Sequence, residues 1–332
     1  MKIEEPYKVS ILVPVYGVER FIERCARSLF EQTYENLEYV FVDDCSPDES
    51  IDILKTVMGK YPNRIDSVKI IHNTKNTGVG EVRNIAVNKS SGDFVFYVDS
   101  DDYIEKDAVE KCVRKQIETE ADIVVYEFVE EYKNKSILNR VAHFESAHDF
   151  CVAQLARETH ISLCGEMIRR SLYVDNDIKI RGGCNFSEDY QMASQLSFYA
   201  KKIAFVNEPL YHYDKTNEQS YTSSFNERNW DMNDRTNDIL WSFFKDKGKE
   251  FVDACNKAKL RGDIRALMDV CKVSGHDEFY ERKSKEAMEL CKQYGGCLSM
   301  PQRMFVRLLK FRPIVSPLIR MLAKTKAVLR KL

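Results

Sequence analysis

The sequence predicts a doubly wound, mostly parallel α/β sheet with a helical C-terminal extension, and three observations carry that prediction. Short apolar runs alternate with amphipathic stretches from Val9 to Tyr126, the order that builds parallel sheets through helical crossovers. The runs are nearly continuous in apolar residues, as in strands covered on both faces. Three of them end in polar, ligand-type residues: Tyr16, Asp43 with Asp44, and Asp99 with Asp101. Such convergence at the carboxyl ends of strands is what a Rossmann-like sheet offers a nucleotide at its switch point.

Taken in order, Val9 to Val15 is the first strand, with Pro14 near its end where a missing donor is tolerable. Phe21 to Gln32 follows as a helix, since Phe21, Ile22, Cys25, Leu29 and Phe30 recur at helical spacing. Glu38 to Val42 is the second strand. Ser46 with Glu49 three residues on reads as a capping box, with Pro47 at the first helical position. Val68 to His72 is the third strand and leads through the Gly78-Val-Gly80 turn into a helix carrying Arg83 and Asn84. A dinucleotide fingerprint would need glycine where Arg83 stands and would follow the first strand, not the third, so a dehydrogenase is disfavoured. Phe94 to Val98 is the fourth strand, Lys106 to Glu118 a helix, and Ile123 to Tyr126 a further strand.

The fourth strand runs straight into Asp99, Ser100, Asp101 and Asp102. Isolated carboxylates beside a core are costly unless paired or bound to metal. Asp99 and Asp101 suit a hard divalent cation that keeps some of its water and bridges to phosphate oxygens. A solvated turn capped by its own Asp and Ser side chains explains the same residues equally well.

Composition sets the bounds. The 332 residues suffice for one large domain or two smaller ones, 31% are charged, and the formal net charge is −2, which draws the chain to neither nucleic acid nor anionic lipid as a whole. The ten cysteines form no CxxC pair and read as reduced thiols. With no signal-like or membrane-spanning apolar stretch, the expected location is cytoplasmic.

Four segments, VSILVPVYG, SLFEQTYENLEYVFVDDCSPD, NTGVGEVRN and SGDFVFYVDSDDY, fall in an order and spacing that resemble the family 2 glycosyltransferases. The resemblance is specific over residues 7–126 and weaker to about 224. It implies the glycosyltransferase A fold, with a nucleotide-sugar-binding half (7–126) and an acceptor half (127–224) in a catalytic domain of 1–224, followed by a helical extension (225–300) and a basic tail (301–332). It also implies inverting transfer, in which Asp44 beside Asp43 binds the nucleobase, while Pro14 and Tyr16 at the first strand's end lie against the base. Arg83 and Asn84 would lie near the nucleotide. Asp99 with Ser100 would reach ribose or metal, and Asp101 with Asp99 would ligate Mn²⁺ or Mg²⁺. The acidic pair Glu188-Asp189, opening a helix that runs to about Tyr199, would supply the general base as Asp189, oriented by Glu188. From the residues alone, that pair is an ordinary complement to a helix dipole.

Val206 to Tyr213 reads as a strand, and Ser220 after it matches a serine of the family's diphosphate-covering segment. His212 is compatible with a third metal ligand, but a strand histidine between two tyrosines is more often structural, and no metal role is assigned to it. Two departures from the family pattern stand out: Cys45 replaces a usual glycine, and Gly165-Glu166 occupies a stretch where the family often has an aromatic and a lysine. The tail from Pro301 to Leu332 carries nine basic and no acidic residues among apolar ones. Pro313 and Pro317 are expected to split it into two short helices, read as a surface anchor on the cytoplasmic membrane face.

The resulting expectation is a metal-dependent transferase using a nucleotide sugar, UDP-linked by preference. Its acceptor would be a glycan or lipid-linked glycan of surface polysaccharide synthesis, with no nucleic-acid partner. The alternative is a non-catalytic nucleotide-sugar-binding or membrane-associated scaffold of the same fold. A nucleotidyltransferase is disfavoured because VPVYGVER lacks the glycine-rich, lysine-bearing loop such enzymes place after the first strand.

Overall fold

The structure is a computed structural model, and it describes residues 6–217 and 225–329, with the side chains of 314 and 322–329 left out of the description. The chain forms two compact units, residues 1–154 with 159–220 and residues 155–158 with 221–332.

The first unit is built on a nine-stranded sheet in the order β3-β2-β1-β4-β8-β6-β9-β5, with β7 paired to β6. Strands β1 (Val9–Val15), β2 (Leu37–Asp43), β3 (Val68–His72) and β4 (Phe94–Tyr97) pair in parallel. Helices α1 (Ile22–Phe30), α2 (Ser50–Met58) and α3 (Val79–Lys89) connect them. β1, β2 and β4 are buried almost throughout, as continuous apolar runs require. Because β1 lies between β2 and β4, the carboxyl ends of three strands stand side by side.

A buried carboxylate secures the opposite ends of these strands. Glu38 on β2 accepts hydrogen bonds from Ser10 Oγ (2.5 Å) on β1, from Lys69 Nζ (3.0 Å) on β3, and from the Ser91 hydroxyl (2.8 Å) and Gly92 N–H (3.1 Å) before β4. So many donors hold its carboxyl well below the usual range despite burial.

Beyond β4 the sheet turns mixed. β8 (Glu166–Arg169) runs antiparallel to both β4 and β6 (Ile123–Tyr132), while β6 pairs in parallel with β9 (Ile203–Asp214). The two-residue β5 (Tyr103–Ile104) pairs with β9, and β7 (Lys135–Asn139) forms a hairpin with β6. Helices α4 (Ala108–Thr119), α5 (Ala147–Leu155), α6 (Ser171–Asp175) and α7 (Glu188–Tyr199) complete this part of the chain.

The expected capping box at Ser46 and Glu49 does not form. Helix α2 begins at Ser50, and the Ser46 N–H is taken by Asp43 Oδ1 (2.8 Å) in a turn where Cys45 adopts φ 63°. Glu49 takes the N-cap position without a side-chain cap bond, and Asp48 before it accepts from the Ser50 N–H (3.2 Å) and hydroxyl (2.5 Å). Cys45 thus holds the left-handed conformation that favours the glycine of the family pattern.

The second unit is helical: α8 (Glu227–Phe244), α9 (Lys249–Val270), α10 (Asp277–Tyr294), α11 (Met300–Leu308) and α12 (Arg312–Leu329). Its core contains an ion pair. The Lys283 ammonium on α10, fully buried, sits 2.7 Å from the fully buried Asp263 of α9 and also pairs with Asp234 of α8. The tail divides elsewhere than at its prolines. A short 3₁₀ turn, Leu309–Phe311, separates α11 from α12, and Pro317 lies inside α12. Pro313 falls in the first turn of α12, where its absent N–H costs nothing.

Candidate active site

The strand ends gather the acidic residues. After β1, Tyr16 is half exposed and Gly17 turns the chain at φ 66°. After β2, Asp43 and Asp44 are both buried. Asp43 holds Ser46 and, through Oδ2, the His72 ring (2.9 Å). Asp44 accepts four hydrogen bonds from the loop after β3: Asn73 Nδ2, the Thr77 N–H and the Thr77 hydroxyl converge on Oδ1, and the Gly78 N–H meets Oδ2, each at 2.8 Å. Asp44 therefore shapes the glycine turn, and Oδ2, with one partner here, retains capacity for another donor.

The glycines serve a close crossing. A side chain at Gly78 (φ 86°) would strike Asn185, and one at Gly80 would strike the Cys184 carbonyl. The loop that leads into α7 is thereby pressed against the start of α3. Asn84 completes the latch, donating to the Ile180 carbonyl (3.0 Å) and accepting from the Ile180 N–H (2.9 Å). The side-chain amide of Asn84 is thus committed to the loop before the acidic pair.

Arg83, one residue earlier, is 2% exposed and joins two sets of carboxylates. Its Nη2 donates to Asp99 Oδ1 (3.0 Å), while Nε lies 3.1 Å from Asp189 Oδ1 and 3.6 Å from Glu188 Oε1. The guanidinium also sits 5.2 Å from the centre of the Tyr97 ring. Asp189 accepts a further bond from Ser162 Oγ (3.1 Å). Burial pushes the carboxyl of Asp189 above the usual range, opposed by Arg83; burial and the neighbouring Asp189 push Glu188 up as well. One arginine therefore connects the aspartate turn with the acidic pair of α7.

The turn itself is held from several sides. The Asp99 N–H donates to Tyr211 Oη (3.1 Å), and that hydroxyl donates to Asp102 Oδ2 (2.5 Å). Asp102 also accepts from the Asp214 N–H (2.8 Å). Arg24 donates to the Asp101 carbonyl (2.9 Å) and to Asp214 (2.6 Å). Ser100 is buried within the turn. Burial and the charge of Asp99 raise Asp101, and burial with both neighbours raises Asp102 well above the usual range.

Surplus negative charge of this kind fits a divalent cation at Asp99 and Asp101. Among the described residues no group of three or more His, Cys, Asp or Glu side chains is placed to hold a metal. A cation here would have at most these two carboxylates, leaving its other positions to water and phosphate oxygens, the habit of Mg²⁺ at phosphate sites. His212 is committed elsewhere: its ring stacks on Tyr103 (4.3 Å between centres), with Glu131 at 3.0 Å and Glu105 at 2.9 Å. Asn217 Nδ2 donates to Asp101 Oδ2 (2.9 Å). Ser220 lies outside the described residues.

The departures at Gly165 and Glu166 belong to the core. Glu166 is fully buried on β8, donated to by Gln154 Nε2 (2.7 Å), and burial pushes it up to about 8, so it keeps its proton at neutral pH. A side chain at Gly165 would strike the ring of His160. Arg24, Ser162, Tyr211 and Asp214 are supporting residues that sequence reasoning did not single out. Each acts across more than twenty residues of chain, where no local pattern marks it.

A parallel half-sheet with acidic strand ends, followed by a mixed half that returns an acidic pair to them, defines the glycosyltransferase A class of fold. The chain belongs to glycosyl transferase family 2, whose family model matches residues 10–175. It is 31% identical over 221 residues to the glycosyltransferase GlyA of Streptococcus pneumoniae serotype 4, covering 62% of this chain and 30% of that protein. It is 28% identical over 222 residues to the poly(ribitol-phosphate) β-N-acetylglucosaminyltransferase TarS of Staphylococcus aureus, covering 65% of this chain and 37% of TarS. The matched stretch therefore spans about a third of each relative. In fold, the chain is similar to residues 1–349 of S. aureus TarS in complex with UDP, with a TM-score of 0.68 at 18% identity over 96% of this chain and 92% of that one. It is also similar to the mannosyltransferase PcManGT of Pyrobaculum calidifontis in complex with GDP-Man and Mn²⁺, with a TM-score of 0.54 at 14% identity over 95% and 87% of the two chains. No helix among the described residues is long and apolar enough to cross a membrane.

Proposed function

We propose that the protein transfers a sugar, with inversion, from a UDP-linked donor to a hydroxyl of a lipid-linked cell-surface glycan or glycopolymer at the cytoplasmic membrane face. The observation that carries this reading is the Arg83 bridge, which sets the donor-side Asp99 and the acidic pair Glu188-Asp189 around one buried guanidinium. Asp44 and Asp43, with Pro14 and Tyr16 beside them, would receive the base, and Asp99 with Ser100 the ribose side. Asp99 and Asp101 would hold Mn²⁺ or Mg²⁺, which when bound neutralises charge on the leaving diphosphate.

Asp189 accepts the proton of the acceptor hydroxyl as that oxygen bonds to the anomeric carbon, and the bond from that carbon to the diphosphate breaks on the opposite side. Inversion follows from the single displacement. Ser162 and Arg83 hold the Asp189 carboxylate for this step, and Glu188 beside it keeps the site acidic. Support for UDP comes from the complex formed by TarS, and for a divalent cation from the Mn²⁺ complex of PcManGT.

Calorimetric titration with UDP, GDP and CDP, with and without Mn²⁺, tests the donor site. UDP is expected to bind best, and more tightly with the metal. Failure of all three to bind would instead favour a scaffold that kept the fold without the chemistry.

A further inference from the structure

We infer that helices α11 and α12, with the 3₁₀ turn between them, carry a lipid-binding face, in which Met300, Met304, Leu308, Phe311 and Leu318 enter the headgroup region of an anionic membrane surface. All five are exposed, Met300 at 68% and Phe311 at 53%. Spacing of four residues puts Met300, Met304 and Leu308 within an arc of about 80° on α11.

A second apolar face of the same helices is already satisfied. Phe305, Val306, Leu309 and Val315 are buried, Tyr280 Oη donates to the Leu309 carbonyl (2.9 Å), and Arg320 Nε donates to the Cys271 carbonyl (3.0 Å). Arg312 is likewise engaged with Asp277 and the Gly275 carbonyl. The exposed stripe is therefore surplus to folding, and it is held on a fixed support. Exposed apolar stripes of this length on a folded unit mark an interaction surface.

Charge selects the occupant. Arg307 and Lys310 are exposed beside the stripe, and Lys324, Lys326, Arg330 and Lys331 follow in sequence, with no acidic residue anywhere from Pro301 to Leu332. A second copy would bring like charges together, which opposes pairing. An anionic bilayer meets both needs at once: apolar side chains enter the interface while basic ones lie on phosphates. No helix among the described residues is long and apolar enough to span, so the proposed mode is a helix pair lying in the plane of the surface. The inference deepens the proposed function by placing the protein where a lipid-linked acceptor would be, yet its test reads lipid binding without sugar transfer, so either can fail alone.

The test is co-sedimentation of the full chain with vesicles of phosphatidylcholine alone and with added phosphatidylglycerol. Two variants accompany it: Met304→Asp/Phe311→Asp and Arg307→Glu/Lys310→Glu. The protein is expected to bind the anionic vesicles, with the charge reversal losing about tenfold or more in affinity. The apolar variant is expected to lose at least as much, and both are expected to keep the parent melting temperature and UDP binding. No binding to anionic vesicles, or binding by both variants as tight as that of the parent protein, would overturn the inference. So would self-association in light scattering that Met304→Asp/Phe311→Asp abolishes while vesicle binding is absent.

Discussion

Asp189→Asn is expected to lower sugar transfer by about 10²–10⁴-fold, the usual worth of a positioned general base, while leaving UDP binding unchanged. Asparagine has the same shape and can still accept from Ser162, so the fold around α7 is retained. What it lacks is a lone pair basic enough to take the acceptor proton. The wild-type pH profile supplies a second check. Burial raises the Asp189 carboxyl, so the ionised base is present only above a value higher than that of an ordinary aspartate. Activity should therefore rise with pH through that value and fall below it. A variant that keeps both rate and profile would remove the base assignment.

Arg83→Gln is expected to impair both stability and activity. The guanidinium is the buried counter-charge for Asp99, Asp189 and Glu188, and removing one partner of such a cluster costs about 3–5 kcal/mol. It also lowers the Asp189 carboxyl against burial, so its loss should move the acidic limb of the pH–rate profile to higher pH. Arg83→Lys should restore part of the melting temperature, since the charge returns. It should not restore full activity, because one ammonium does not reproduce a planar fork reaching Asp99 through Nη2 and Asp189 through Nε. Thermal melting and the pH–rate profile of both variants check this; an unshifted limb would mean that Arg83 and Asp189 are not coupled.

The parts of this structure that were legible in the sequence are those with strong local signals. β1 runs over the residues its apolar run marks, because a strand buried on both faces leaves a continuous hydrophobic stretch; β3, half-buried to exposed at the end of the strand order, was marked by its Val and Ile residues instead. The acidic strand ends were visible for the same reason: charge immediately after such a run is abrupt. Other elements had no such contrast. β5 is two residues long, β7 is exposed along most of its length, and β8 carries the buried Glu166 in place of an apolar residue. The start of α2 was misplaced because Ser46, a favourable cap by type, is drawn into the Asp43 turn.

The candidate site shows the same division. Its acidic residues could be named from pattern and family resemblance, but their connections could not. Arg83 meets Asp189 across 106 positions of sequence, and Tyr211 meets Asp102 across 109. The Asn84 amide pairs with the Ile180 backbone across 96 positions, a contact with no local signal either. The basic tail was legible as amphipathic, but only the structure separates the face that packs from the face that is exposed.

The most direct test of the account is the anomeric configuration of the sugar released when the wild-type protein, with Mn²⁺, hydrolyses an α-linked UDP-sugar in the absence of acceptor. Proton NMR reads it before mutarotation. A single displacement with water activated by Asp189 predicts the β anomer, formed by wild type and lost in Asp189→Asn. Release of the α anomer would contradict it, since retention requires either two displacements or a departure and return on the same face.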